Sequence, residues 1–243
     1  MESLKAFIKC NTIKKICVLT GAGISKESGL ATFRDGNGLW ENHNVYEVAS
    51  PQAFKSNPEL VYEFYNQRRR QLQSSQVAPN KAHLALAKLE ELERYQVNII
   101  TQNVDNLHER AGSKRTYHMH GQLLQARCTK TSKVIDWRED LTGESRCQCC
   151  HTKGNLRPHI VRFGESPFYI DEIQQYLLEC DLFISIGTSG QVYPAANFVN
   201  MAKLGNAYCL EINPNPTQNA QVFDSSIKEN ATTGVAELLE LLS

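Results

Sequence analysis

Net charge is the first thing the sequence lacks. Lysine and arginine total 26 and aspartate and glutamate also total 26, so the formal charge is zero. No global field exists to draw in a polyanion, and no direct nucleic-acid partner is expected. Long apolar runs are missing as well. No stretch has 18 consecutive apolar residues, and the opening "MESLKAFIKCNTIKK" lacks the apolar region of a secretory signal. The expectation is a soluble, cytoplasmic protein without a membrane partner. There are no internal repeats and no low-complexity segments. A chain of 243 residues can bury a proper core as one domain with a modest insertion, and it needs no disulfides to do so.

What is present alternates. The apolar run Ile16 to Leu19 and the stretches 97–103, 182–189, 207–213 and, more weakly, 226–231 have the pattern of buried strands. Helical periodicity occupies 59–72, 80–94, 170–179 and 194–204, with a closing segment at 234–242. This alternation predicts an α/β fold, a Rossmann-like doubly wound parallel sheet. Two stretches interrupt it. The expected plan is a large sheet domain from 1–35, 79–121 and 158–243, with a smaller lobe made of a helical insertion (36–78) and a cysteine-bearing, zinc-ribbon-like insertion (122–157).

The first strand runs into "GAGISKESGLATFR", where glycines let backbone N–H groups approach a ligand and a following helix N-terminus would favour an anion. The dinucleotide fingerprint G-x-G-x-x-G is incomplete, because Lys26 stands at the third glycine. The turn alone therefore fits either a nucleotide site or an ordinary strand-to-helix connection. Ligands of doubly wound sheets bind outside the carboxyl ends of the strands, where "GAGIS", "TQNVDNLH" and "GTSG" would converge.

Four of the eight cysteines, Cys10, Cys17, Cys180 and Cys209, lie singly in apolar surroundings and read as reduced core thiols. The others cluster. Cys147-x-x-Cys150 has the spacing of half a zinc knuckle, but its partner "CTKT" keeps only Cys128 and carries Thr131 where a second cysteine should be. Cys128, Cys147 and Cys150 could supply three thiolates, with Cys149 or His151 as a fourth ligand, to one structural zinc. The alternative is a lobe held by packing alone. In "TYHMHGQL", His118 and His120 are two apart and on an extended segment would face the same way. His120 sits at the boundary between sheet domain and cysteine lobe and is a general-base candidate, its ordinary pKa being near neutral.

The ordered set "GAGISKESGLATFR", "TQNVDNLH", "HMHG", "FGE" (163–165), "GTSGQVYPAA" (187–196) and "LEIN" (210–213) resembles the sirtuins, NAD-dependent protein lysine deacylases, over nearly the whole chain. The resemblance implies NAD as co-substrate and acylated lysines of many proteins as partners, handled by a monomer. Gly21, Ala22, Gly23, Ile24, Phe33, Arg34 and Trp40 would line the cofactor loop. Gln102, Asn103, Val104 and Asp105 would meet the nicotinamide and its ribose. Gly187, Thr188, Ser189, Glu211, Ile212, Asn213 and Ala231 would face the adenosine side. His120 would be the catalytic base, and a strand of Phe163, Gly164 and Glu165, with Val192 opposite, would clamp the substrate backbone. The implied products are nicotinamide, 2′-O-acyl-ADP-ribose and free lysine. The usual "GIPDFR" is "GLATFR" here, with Thr32 for the aspartate, as in the class III branch. Rival readings are a mono-ADP-ribosyltransferase and a non-catalytic sensor of NAD or acyl-lysine.

Tyr65 and Arg68, at i and i+3 in "PELVYEFYNQRRRQL", share a helix face and could hold a carboxylate. They resemble the Tyr-x-x-Arg of class III sirtuins, which implies removal of succinyl and malonyl groups beside acetyl. Read without that resemblance, Arg68, Arg69 and Arg70 make a solvated basic face and Tyr65 a core residue.

Overall fold

The computed structural model describes residues 2–31, 39–40 and 43–243. Strands in chain order are β1 (Lys15–Thr20), β2 (Leu39–Trp40), β3 (His43–Asn44), β4 (Gln96–Thr101), β5 (Thr116–His118), β6 (Gly121–Cys128), β7 (Val134–Asp136), β8 (Leu156–Ile160), β9 (Leu182–Ile186), β10 (Tyr208–Ile212) and β11 (Ser225–Ile227). Helices are α1 (Glu2–Cys10), α2 (Val45–Val48), α3 (Pro51–Ser56), α4 (Pro58–Leu72), α5 (Lys81–Glu91), α6 (Leu107–Ala111), α7 (Ile170–Glu179), α8 (Phe198–Leu204) and α9 (Ala231–Leu242).

Six strands form one parallel sheet in the order β11-β10-β9-β1-β4-β5. The chain moves outward to one side from β1 and then returns to start the other side at β9, so the topological switch point lies between β1 and β9. The doubly wound sheet is as expected. Its central strands are apolar on both faces because both are covered: Ile16, Val18, Ile99, Ile184 and Leu210 join the helical residues Leu86, Leu89, Val235 and Leu238 on one side. Cys17, Leu19, Phe183 and Cys209 pack with Ile173, Leu177, Phe198 and Val199 on the other.

Three differences from the expected elements have physical causes. The edge strand β5 is only "TYH", too short and polar to leave an apolar run. The segment expected as a strand at 226–231 pairs only at Ser226 and Ile227, because Ala231 already opens α9. Within the insertion after His120, β7-β6-β8 make a separate antiparallel sheet. It packs Ala126, Cys128, Leu141, Cys147 and Leu156 against Tyr62 of α4. That helix starts where Asn57 accepts from the Leu60 N–H at 3.2 Å and Pro58 supplies a preset φ.

At the switch point the ends of β1 and β9 touch backbone to backbone. The Gly23 N–H donates to the Gly187 carbonyl at 2.9 Å, and the Gly21 N–H donates to that of Ile186 at 3.0 Å. A Cβ on Gly23 would lie 2.7 Å from Gly187 Cα, and one on Gly187 would lie 2.6 Å from the Ile24 nitrogen. Gly187 also has φ +61°. Both strain and overlap therefore oppose a side chain there. Gly187→Ala should lower thermal stability by about 2 kcal/mol, a fall in Tm of roughly 5 °C. Gly143→Ala, where a Cβ would meet nothing within 4 Å, serves as the control in the same melting experiment; equal melting temperatures for the two variants would mean the contact yields freely.

Candidate active site

A cavity of about 710 Å³ opens at the switch point and runs from the glycine turn toward α4 and the antiparallel sheet. The turn after β1 continues as a short 3-10 helix, Ala22–Ser28. Gly29 ends it with φ +86°, its N–H bonded to the Lys26 carbonyl.

The loop after β4 is stapled to this turn. Asn103 Nδ2 donates to the Gly21 carbonyl at 3.0 Å and to Ser25 Oγ at 3.2 Å, while Ser25 Oγ donates to Asp105 Oδ2 at 2.9 Å. The other Asp105 oxygen accepts from the Leu107 N–H. Burial is the largest influence on Asp105 and raises its pKa above the ordinary carboxylate value, against those two hydrogen bonds. On the far side of the turn, Asn213 Nδ2 donates to the Thr188 carbonyl at 2.8 Å, and the Gly187 N–H to that of Ile212 at 3.0 Å.

His120 borders the cavity, and its Nδ1 lies 3.0 Å from the Gln102 carbonyl oxygen. A carbonyl only accepts, so Nδ1 carries the proton and Nε2 is left with its lone pair. Burial lowers the His120 pKa below its ordinary value, outweighing the Gln102 bond, and the ring is neutral at neutral pH. His118 does not share this face. The strand ends at His118 and turns, leaving His118 buried with Nε2 2.7 Å from Glu109 and Nδ1 3.3 Å from the Asn103 carbonyl.

Most of the expected site residues converge. Gly21, Ala22, Gly23, Gln102, Asn103, Val104, Asp105, His120, Gly187, Thr188, Ser189, Val192, Ile212, Asn213 and Ala231 line the cavity, as do Tyr65, Arg68, Phe163, Gly164 and Glu165. Ile24 and Glu211 do not. Ile24 is fully buried in the core because the 3-10 turn directs its side chain beneath the sheet end. Glu211 is buried on β10 and accepts a hydrogen bond from Thr217. The expected strand 163–165 is a turn: Gly164 has φ +89° and the Glu165 N–H bonds back to Arg162. Phe33, Arg34 and the side chain of Trp40 lie outside the described residues. Sequence reasoning missed Ser25, Arg162 and the 214–218 loop, all of which line the cavity. Ser25 was inside the quoted motif, and the loop follows the carboxyl end of a strand; both were signals.

The three arginines of α4 separate. Arg70 is exposed and ion-paired with Glu63 and Asp140. Arg69 is fully buried, its Nε donating to the Leu123 carbonyl and its Nη1 to Asn66. Arg68 lies with its guanidinium carbon 3.9 Å from the Phe64 ring centroid and borders the cavity beside Tyr65. The run is therefore not one solvated face. Burial raises the Tyr65 pKa, which keeps its phenol a neutral donor.

Away from the cavity, the Sγ atoms of Cys128, Cys147, Cys149 and Cys150 all lie within 4.8 Å of one another. Cys128 to Cys150 is 3.8 Å and Cys147 to Cys149 is 3.1 Å. Four thiolates about 2.3 Å from one tetrahedral zinc stand roughly 3.8 Å apart, so the cluster fits that ion with small adjustments. Cys149 joins the set and His151 is exposed outside it. Thr131 stays adjacent, its Oγ1 3.1 Å from Cys149 Sγ. Among the described residues no helix is long and apolar enough to cross a membrane.

Comparison with known proteins agrees with this geometry. The Sir2 family profile matches residues 21–194. An NAD-dependent protein deacylase of Leishmania major is 58% identical over 221 residues, covering 90% of this chain and 91% of that protein. One from Pasteurella multocida is 55% identical over 225 residues, covering 93% and 96%. The crystal structure of a Sir2 homologue in complex with NAD superposes with a TM-score of 0.87 at 37% identity, covering 99% of this chain and 93% of that one. With the glycine turn, the stapled loop and the neutral histidine set around one cavity at the switch point, the chain belongs to the Sir2 family.

Proposed function

We propose that the protein is an NAD-dependent protein lysine deacylase. It removes acetyl and acidic acyl groups, succinyl and malonyl, from lysine, yielding nicotinamide, 2′-O-acyl-ADP-ribose and free lysine. The observation that carries this reading is His120 held as its Nδ1–H tautomer by the Gln102 carbonyl, on a cavity that extends from the glycine turn to Tyr65 and Arg68. Family membership and the deacylase names of the relatives support it.

When bound, NAD supplies an electrophilic ribose carbon and a leaving nicotinamide. The chain's own residues bind, orient and move a proton. The backbone of the glycine turn at Gly21 and Gly23, with Gly187 opposite, lines the part of the cavity that would take the pyrophosphate. The buried Asn103 and Asp105, fixed to Ser25, offer a rigid polar wall for the nicotinamide end. His120 Nε2 accepts a proton from a ribose hydroxyl as general base. At the other end the Tyr65 hydroxyl and the Arg68 guanidinium bind an acyl carboxylate. The substrate backbone lies between the 163–165 turn and Val192, with 36–78 and 122–157 as the small lobe that frames it. Mass spectrometry of matched acetyl- and succinyl-lysine peptides, with and without NAD, tests the reading; NAD-dependent loss of both groups is expected, and loss of neither would refute it.

Three outcomes follow. Arg68→Met should raise KM for succinyl-lysine about tenfold or more while changing acetyl-lysine turnover far less, because a charge-assisted pair is lost only for the acid; equal losses on both peptides would remove the clamp. The pH profile of kcat/KM should keep its acidic limb below pH 6.5. The His120 pKa is lowered from that value, so the neutral base persists until pH falls past the lowered pKa. A limb above 6.5, or an unchanged profile in His120→Ala, would assign the base elsewhere. Finally, elemental analysis of the purified protein should find zinc at one ion per chain. Cys149→Ser should lose it and His151→Ala retain it, and the reverse pattern would exclude Cys149 as the fourth ligand.

A further inference from the structure

The 163–165 turn owes its shape to the residue before it. Glu165 accepts from the Arg162 backbone N–H at 3.0 Å, and its Oε1 takes Arg162 Nη2 at 2.8 Å and Nε at 3.3 Å. Arg157 reaches the same carboxylate at 3.2 Å. Two guanidiniums thus share one carboxylate, which leaves one positive charge in excess. The side chain of Arg162 is only 13% exposed, so this excess is screened far less than a surface charge would be.

Arg162 borders the cavity that Tyr65 and Arg68 line. Its guanidinium carbon lies 5.5 Å from the Phe54 ring centroid, which supports it from one side. With Nε and Nη2 committed to Glu165, Nη1 makes no hydrogen bond among the described residues. Among the arginines of the described residues, Arg162 exerts the strongest pull on the Tyr65 phenol, ahead of Arg157 and Arg68. The excess charge is therefore felt where the acyl chain ends.

We propose that Arg162 is a specificity-determining residue, a second guanidinium at the acyl end of the cleft that favours acyl chains ending in a carboxylate over neutral ones. This rests on the deacylase reading and deepens it. An acyl carboxylate bound by Tyr65 and Arg68 also meets the surplus charge of the Arg157, Arg162 and Glu165 group, and a neutral acyl chain gains nothing from it. The cationic amine of an unacylated lysine is repelled from the same place.

The test compares peptides bearing acetyl-lysine, succinyl-lysine and the terminal amide of succinyl-lysine, which has nearly the same shape without the charge. In Arg162→Gln the succinyl-to-acetyl ratio of kcat/KM should fall about tenfold, the loss expected of a charge-assisted contact, mostly through KM. The amide-to-acetyl ratio should stay as in the wild type. Arg162→Lys, which keeps the charge, should retain most of the succinyl preference. Parallel losses on all three peptides would make Arg162 only a brace of the 163–165 turn, and an unchanged ratio would show its charge does not reach the acyl group; either overturns the proposal. Wild-type protein that deacylates none of them would instead refute the deacylase reading. Calorimetric binding of the same peptides then decides Arg162 by itself, with loss of succinyl over amide preference in Arg162→Gln expected and its retention contrary.

Discussion

Contact without side chains between two strand ends governs the site. Gly21 and Gly23 after β1 meet Gly187 after β9 closely enough that a Cβ on any of them would overlap backbone. Because the backbones touch, their polar groups pair with each other, and the mouth of the switch point stays open to a ligand. The Asn103 and Asp105 staples then fasten the loop after β4 to this same turn through Ser25. That loop in turn presents the Gln102 carbonyl which fixes the His120 tautomer. The arrangement around His120 is thus a chain of hydrogen bonds beginning at the glycine contact, and the antiparallel sheet joins it where the Leu123 N–H donates to the Val104 carbonyl at 2.8 Å and the Val161 N–H to that of His120 at 2.9 Å.

The two ends of the cavity differ electrostatically. Near the glycine turn burial works against charge: His120 is pushed toward neutrality and the Asp105 carboxyl is raised. Toward α4, Arg157 and Arg162 share the single carboxylate of Glu165, so that group carries one positive charge in excess. A neutral imidazole and a fixed guanidinium need opposite surroundings. Separating them along one cleft lets each environment be kept without weakening the other.

The parallel sheet was legible because its central strands are buried on both faces, which forces continuous apolar runs such as Ile16 to Leu19 and Leu182 to Ile184. Edge elements follow no such rule, and β5 passed unseen as three residues of mixed character. The β6 strand alternates burial and was lost in the polar composition of its insertion. At the site, most motif residues on loops line the cavity while Ile24 and Glu211 are buried away from it, since membership in a motif does not say which way a side chain points. Arg162 was overlooked for a related reason: its role comes from tertiary neighbours, Glu165, Arg157 and Phe54, two of them distant in sequence or on another element.

Helix α4 has two working faces. Toward the cleft it offers Tyr65 and Arg68; toward the antiparallel sheet it is anchored by Tyr62 on the Leu156 carbonyl, by Asn66 on both backbone groups of Leu141, and by Arg69 on the Leu123 carbonyl. Each anchor engages main chain, so none of them depends on the identity of the side chains across the joint. Residues on the cleft stripe can therefore be exchanged while the helix mounting and the distant glycine contact carry on unaltered, so the wall of the cavity is separable from the frame that holds it.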